Sequence, residues 1–274
     1  MKQRIISALI MLPLFAFIYL GGIPLLAICI IGSGLCMYEF YRGYENINVK
    51  ADKIVGFLLL AMLYVIIIYG EYLNARGLVY SHLLLLWTCL TIAIGLAITL
   101  IRSDNNIVDG PITSLGVLYI GFFASHLVLI DRLPSTNGFD NGHLVWLVFL
   151  ASFGSDIFAY FVGCAIGKHK LCPNISPKKT VEGAIGGIIG SMLLCSAFGY
   201  FVCPQYLIHT IIIGFVGSFF AMAGDLIASI FKRKMGIKDY GAIIPGHGGF
   251  LDRFDSVIFV APFVYYYILV VIKP

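Results

Sequence analysis

The stretch from Gly224 to Ser256, GDLIASIFKRKMGIKDYGAIIPGHGGFLDRFDS, gathers carboxylates, a basic cluster and a glycine-rich turn between two apolar runs. Read as a helix, Asp225, Ser229 and Lys232 fall at i, i+4 and i+7, so an acid, a hydroxyl and an amine share one face. Asp252, Asp255 and Ser256, at i, i+3 and i+4, make a second polar face where the following run begins. Between them, Pro245-Gly246-His247-Gly248-Gly249 permits positive φ and close approach of a ligand to main-chain N–H groups, which suit phosphate oxygens. Carboxylates beside such groups repel a phosphorylated substrate unless a cation lies between them. Mg²⁺ is usually held by one or two carboxylates together with substrate phosphates. The stretch reads as a site for a nucleotide triphosphate or a lipid phosphate with a metal ion.

Each feature also has a plainer role. Lys232-Arg233-Lys234 makes a membrane-edge anchor, Asp252 and Asp255 favour a helix N-terminus, and the glycines make a turn. Asp225 is left unexplained by these roles, because an ionisable group inside an apolar run is costly. Asp156, in Ala-Ser-Phe-Gly-Ser-Asp-Ile-Phe-Ala-Tyr, is another such acid, with a hydrogen bond to a neighbouring helix as its alternative role. Downstream, Ser176-Pro177-Lys178-Lys179-Thr180 forms a basic loop. Pro177 suits a helix's first turn, which would set Lys178 and Lys179 near its positive end, where an anion is favoured; an ordinary positive-inside loop is the alternative.

The segment Ser229-Ile-Phe-Lys232-Arg233-x4-Lys238-Asp239-x-Gly241-x2-Ile244-Pro245-x-His247-Gly248-Gly249-Phe250-x-Asp252-Arg253-Phe254-Asp255 resembles the signature of phosphatidate cytidylyltransferases, the CDP-diacylglycerol synthases. The resemblance reaches upstream to Asp156 and to Ser176 through Gly183, so its motifs cover the C-terminal half. It implies an enzyme that condenses CTP with phosphatidate in the membrane lipid, a Mg²⁺ cofactor with a second cation such as K⁺, and a homodimer. Residue by residue, it implies metal binding by Asp225 and Asp252 with Asp255 and Asp156 in support, and catalysis through Asp225, Asp252, Asp255, Lys232 and Arg233. Substrate contacts are implied for Ser176, Lys178, Lys179, Thr180, Ser229, Lys238, Asp239, His247, Gly248, Gly249 and Arg253. Ala228 departs from the pattern: the family often carries Glu there, and at i+3 from Asp225 the position is expected beside the polar face, leaving the site one negative charge poorer. A related lipid cytidylyltransferase or a polyprenol kinase would share these features.

These residues need helices to carry them, and composition says which kind. With 60% hydrophobic and 12% charged residues and a mean hydropathy of +0.96, the chain is too apolar for a soluble domain. Apolar runs near 5–20, 23–41, 54–70, 82–101, 112–130, 143–164, 183–202, 208–231 and 254–272 predict an all-α polytopic membrane protein of about nine transmembrane helices. It is expected as a single membrane domain over 1–274, a helical part at about 1–142 preceding a motif-bearing part at about 143–274. The first run is read as an uncleaved span, and Gly21-Gly22-Ile23-Pro24 as a hairpin or a break in one element. Fifteen of the 18 Lys and Arg fall on the N-terminal side of this alternation. That places the N-terminus in the cytoplasm, the C-terminus outside, and the site on the cytoplasmic face of the cell (plasma) membrane.

The seventh run opens with overlapping GxxxG spacings from Gly183 to Gly190, which permit close helix approach. The seven cysteines show no metal-binding spacing and read as packing residues. No nucleic-acid-binding motif is present. A transporter is the rival class, since intramembrane acids and glycine-broken helices are ordinary there. Against it, no internal repeat is visible, and the polar residues gather in the C-terminal half.

Overall fold

The computed structural model describes residues 15–75, 79–101, 106–135, 139–241 and 248–273. Eight helices among them are long and apolar enough to cross a membrane, and they match the second to ninth predicted runs. We number them α1 (Gly22–Glu45), α2 (Lys53–Ala75), α3 (Tyr80–Ile101), α4 (Asp109–Asp131), α5 (Val145–Ile166), α6 (Val181–Val202), α7 (Leu207–Lys234) and α8 (Leu251–Tyr267). Most of the predicted first span lies outside the described residues; residues 15–20 are helical. The chain breaks at Gly21, where φ is +61°, and restarts with the Gly22 N–H donating to Asp131 Oδ2 at 2.8 Å. The architecture is that of an all-α polytopic membrane protein. Large apolar side chains such as Ile23, Leu100 and Phe201 stand about four-fifths exposed, a distribution that only a lipid surround solvates.

The C-terminal half is built on close helix crossings, and glycine makes them possible. Among the described residues, α5 and α6 share the most extensive contact. A Cβ at Gly187 would stand 2.8 Å from the Ser155 carbonyl oxygen, and one at Gly183 2.8 Å from that of Ala159. The predicted close-packing role of the GxxxG spacing is therefore met. Likewise, a Cβ at Gly224 of α7 would lie 2.7 Å from the Asp255 carbonyl oxygen of α8. This contact brings Asp225 and Asp255 onto adjoining surfaces.

The basic loop differs from expectation. Pro177 does not open a helix: Ser176–Thr180 forms strand β2, antiparallel to β1 (Lys170–Cys172), pairing Lys170 with Thr180 and Cys172 with Ser176 across a bulge. Proline's fixed φ and missing donor are tolerated at a strand edge as well as at a helix start. The helix start goes instead to Thr180, whose hydroxyl accepts the Gly183 N–H at 3.1 Å as an N-cap. Glu182, in the first turn of α6, accepts the N–H groups of Lys168 (3.0 Å) and His169 (3.2 Å). The hairpin is thus clamped at its root to α6, directly after the end of α5.

Candidate active site

The β1–β2 hairpin and four helices, α5, α6, α7 and α8, converge on one cavity of about 770 Å³. α5 brings Asp156, the hairpin brings Lys170, Lys178, Lys179 and Thr180, α7 brings Asp225 and Lys232, and α8 brings Asp252, Arg253 and Asp255. The wall continues through Phe153, Ile157, Tyr160 and Met222, so one cavity presents acids, bases and an apolar side. Its volume falls within the range of small-molecule sites.

The acids and bases are interlocked. Lys179 Nζ lies 2.6 Å from Asp225 Oδ2, with the side chains 26% and 29% exposed. Lys232 Nζ lies 2.7 Å from Asp252 Oδ1, at 11% and 6% exposure. The other Asp252 oxygen, Oδ2, accepts the N–H groups of Tyr240 at 2.8 Å and Gly249 at 2.9 Å. Asp252 thereby ties the end of α7, the following loop and the start of α8 together. Asp225 is looser, its further contact being the Ser229 hydroxyl at 3.4 Å. Ser256 Oγ donates to Asp156 Oδ2 at 2.8 Å, so Asp156 both bonds a neighbouring helix and lines the cavity. Asp255 is buried at 5% exposure, with Oδ1 accepting the Ser256 N–H at 2.8 Å.

Beneath these groups an aromatic floor fixes the loop. Lys232 Nζ stands 5.4 Å from the centre of the Tyr240 ring, and Tyr240 donates its hydroxyl to the Ala228 carbonyl at 3.2 Å. Burial, with Tyr119, Asp255 and Asp252 nearby, pushes the Tyr240 phenol above its ordinary value, keeping it a donor. Ala228 is fully buried and is absent from the cavity wall. At i+3 from Asp225, position 228 adjoins the polar face of α7 as expected, but it is buried off the cavity wall and so adds nothing to the cavity lining.

Of the other residues singled out from sequence, Ser229 is buried behind Asp225, and Arg233 is exposed, donating to the Ile237 carbonyl at 3.2 Å. Lys238 and Asp239 are exposed. None of these four lines the cavity, nor do Ser176, Gly248 and Gly249 among the described residues. Gly248 takes φ +85°, as a glycine turn requires, but the Gly249 N–H is given to Asp252. His247 lies outside the described residues. Sequence reasoning passed over two residues. Lys170 lies outside every motif singled out above, and Glu39 of α1, 2% exposed, is signalled in the sequence only as an acid within an apolar run.

Among the described residues no three His, Cys, Asp or Glu side chains are grouped so as to hold a metal unaided. The donor set is one of hard carboxylate oxygens already paired with ammonium groups. That fits Mg²⁺, which takes one or two carboxylates and completes its shell with substrate phosphates and water. Asp225 is the more available donor, being more exposed and less committed than Asp252.

Comparison with known proteins covers nearly the whole chain. A family model described as the cytidylyltransferase family matches residues 2–271. The phosphatidate cytidylyltransferase of Bacillus subtilis (strain 168) is 32% identical over 270 residues, 97% of this chain and 97% of that one. That of Staphylococcus haemolyticus (strain JCSC1435) is 33% identical over 274 residues, covering 96% of each chain. An uncharacterised protein of Escherichia coli (strain K12), YnbB, is 37% identical over 147 residues, 54% of this chain and 49% of its own.

Proposed function

The chain belongs to the cytidylyltransferase family, and we propose that it condenses CTP with phosphatidate to give CDP-diacylglycerol and pyrophosphate. The observation that carries this is the single cavity in which four carboxylates face lysines and an arginine beside an apolar wall. In the reaction a phosphatidate oxygen bonds to the α-phosphorus of CTP while the bond from that phosphorus to the pyrophosphate oxygen breaks. The phosphomonoester carries its own charge, so no nucleophile from the protein is required. Catalysis reduces to placing two anions in line and stabilising the charge that develops.

The chain's residues divide that work. Lys170, Lys178 and Lys179 on the hairpin and Arg253 on α8 line the cavity and are suited to the triphosphate and the departing pyrophosphate. Lys232, held by Asp252 and Tyr240, is a fixed positive charge in a nearly dry setting, where it acts more strongly than at a water-exposed surface. Asp225, with Asp255, Asp156 and Asp252 around it, would hold Mg²⁺, a second cation such as K⁺ being accommodated by the remaining carboxylates. When bound, the divalent ion supplies charge neutralisation and polarisation of the phosphoryl oxygens. Phe153, Ile157, Tyr160 and Met222 offer an apolar approach for a lipid whose tails stay in the bilayer. We read the cavity end as cytoplasmic, supported by the Lys and Arg asymmetry. The reading includes the plasma membrane as location and a homodimer as the assembly.

The test supplies purified protein in detergent with Mg²⁺, phosphatidate and each of CTP, dCTP, ATP and GTP. A cytidine liponucleotide and stoichiometric pyrophosphate are expected. Absence of liponucleotide with every nucleotide would overturn the reading, and release of CDP from CTP in a parallel reaction with a polyprenol in place of phosphatidate would convert it to a kinase.

A further inference from the structure

Among the buried carboxylates that the reaction does not use is Glu39, near the C-terminal end of α1. Its Oε1 accepts the N–H of Phe250 at 2.9 Å and its Oε2 that of Leu251 at 2.8 Å. These are the N-cap and first helical N–H groups of α8, which a helix cannot satisfy internally. The N-cap residue Phe250 makes no side-chain cap of its own. The next N–H upstream, that of Gly249, goes to Asp252 Oδ2 at 2.9 Å. Three consecutive amides are therefore shared between two carboxylates, one from α8 itself and one from a helix more than 200 residues earlier. The negative charge also sits at the positive end of the α8 dipole.

Two glycines make room for it. A Cβ at Gly241 would stand 2.6 Å from Glu39 Oε1, and one at Gly249 2.6 Å from Oε2. The loop that follows α7 and the turn before α8 are thus both moulded on this one carboxylate. An acid buried inside a membrane helix is costly unless it is well paired, and here its recorded partners are the two amides that open α8.

We propose that Glu39 is a positioning residue for cytidylyl transfer. By taking the Phe250 and Leu251 amides it sets the first turn of α8, leaving the Gly249 amide to Asp252 and aiming Asp252, Arg253 and Asp255 into the cavity. It does not line the cavity itself. The N-terminal half thereby contributes to the geometry of a site whose motifs all lie in the C-terminal half. This rests on the function proposed above.

The test uses full-length protein in detergent and four variants: Glu39→Gln, Glu39→Ala, Gly241→Ala and the Glu39→Ala/Gly241→Ala double. Three quantities are read: hydrogen exchange of the peptide spanning residues 249–252, kcat and KM for CTP, and the melting midpoint. Loss of one charge-assisted bond in Glu39→Gln is expected to speed exchange there and lower kcat by about tenfold, in protein still folded at the assay temperature. Gly241→Ala should act likewise by displacing the carboxylate, and should add nothing once Glu39 is alanine. Unchanged exchange in Glu39→Gln, a wild-type kcat in that folded variant, or full additivity in the double would each overturn the proposal. Wild-type protein that makes no liponucleotide would instead refute the function, while the exchange arm still decides whether Glu39 caps α8.

Discussion

Replacing Asp252 by Asn separates the structural from the chemical work of the carboxylates. The Asp252 side chain is 6% exposed, and Lys232 opposite it 11%. Three donors converge on it: Lys232 Nζ at 2.7 Å, Tyr240 N–H at 2.8 Å and Gly249 N–H at 2.9 Å. An asparagine has one acceptor oxygen. If that oxygen faces Lys232, its NH₂ group opposes two amide donors; if it faces the amides, the NH₂ opposes an ammonium. Either way a nearly buried cation or a pair of amides loses its partner, which costs about 3–5 kcal/mol when a buried pair is broken from one side. At roughly 2–4 °C per kcal/mol for a large domain, the melting midpoint in detergent should fall by about 10 °C. Asp225→Asn is the contrast. Its pair with Lys179 is 26% and 29% exposed, so the loss should be about 1 kcal/mol, although turnover should vanish almost completely. Adding Lys232→Met to Asp252→Asn should recover part of the stability, because the stranded ammonium is removed; coupling of about 0.5–3 kcal/mol is expected. Fluorescence-monitored melting of the three variants, with liponucleotide formation measured alongside, checks this. An Asp252→Asn midpoint at the wild-type value, or a fall no larger than that of Asp225→Asn, would refute the reasoning.

Ala228→Glu should lower activity at every Mg²⁺ concentration and reduce stability, because the side chain enters a fully buried position and overpacking alone costs about 1–3 kcal/mol; a lower Mg²⁺ requirement in a titration of turnover would contradict this. Gly187→Ala should force α5 and α6 apart, since its Cβ would stand 2.8 Å from the Ser155 carbonyl, with a loss of about 1–3 kcal/mol visible in the same melting assay. Single cysteines at Asn174 and Lys238 in a cysteine-free background should react with an impermeant maleimide only from the cytoplasm, and one at Asn137 only from outside. Labelling of positions 174 and 238 from opposite faces would break the common site apart.

What the sequence determined by itself was whatever depends on local pattern. Apolar runs long enough to span a bilayer announced the eight described helices because membrane solvation acts on every residue of a run alike. Asp156 and Asp225 stood out for the same reason, as charges where the solvent is lipid. Glycine spacing was legible too, and the GxxxG contact between α5 and α6 followed from residue size. Only the tertiary structure decided which groups meet. That Lys179 rather than Lys178 reaches Asp225 depends on the strand register of a hairpin whose Pro177 was equally compatible with a helix start. That Ala228 is buried off the cavity wall while Asp225, one turn before it, lines the cavity depends on how α7 is rotated against its neighbours, which no spacing along one helix reveals. Glu39 shows the limit most plainly: its two partners lie 211 and 212 residues away. A carboxylate's partner is chosen by proximity in space and by the need to satisfy buried amides, so the link between the two halves of the chain became visible only once α1 and α8 were packed side by side.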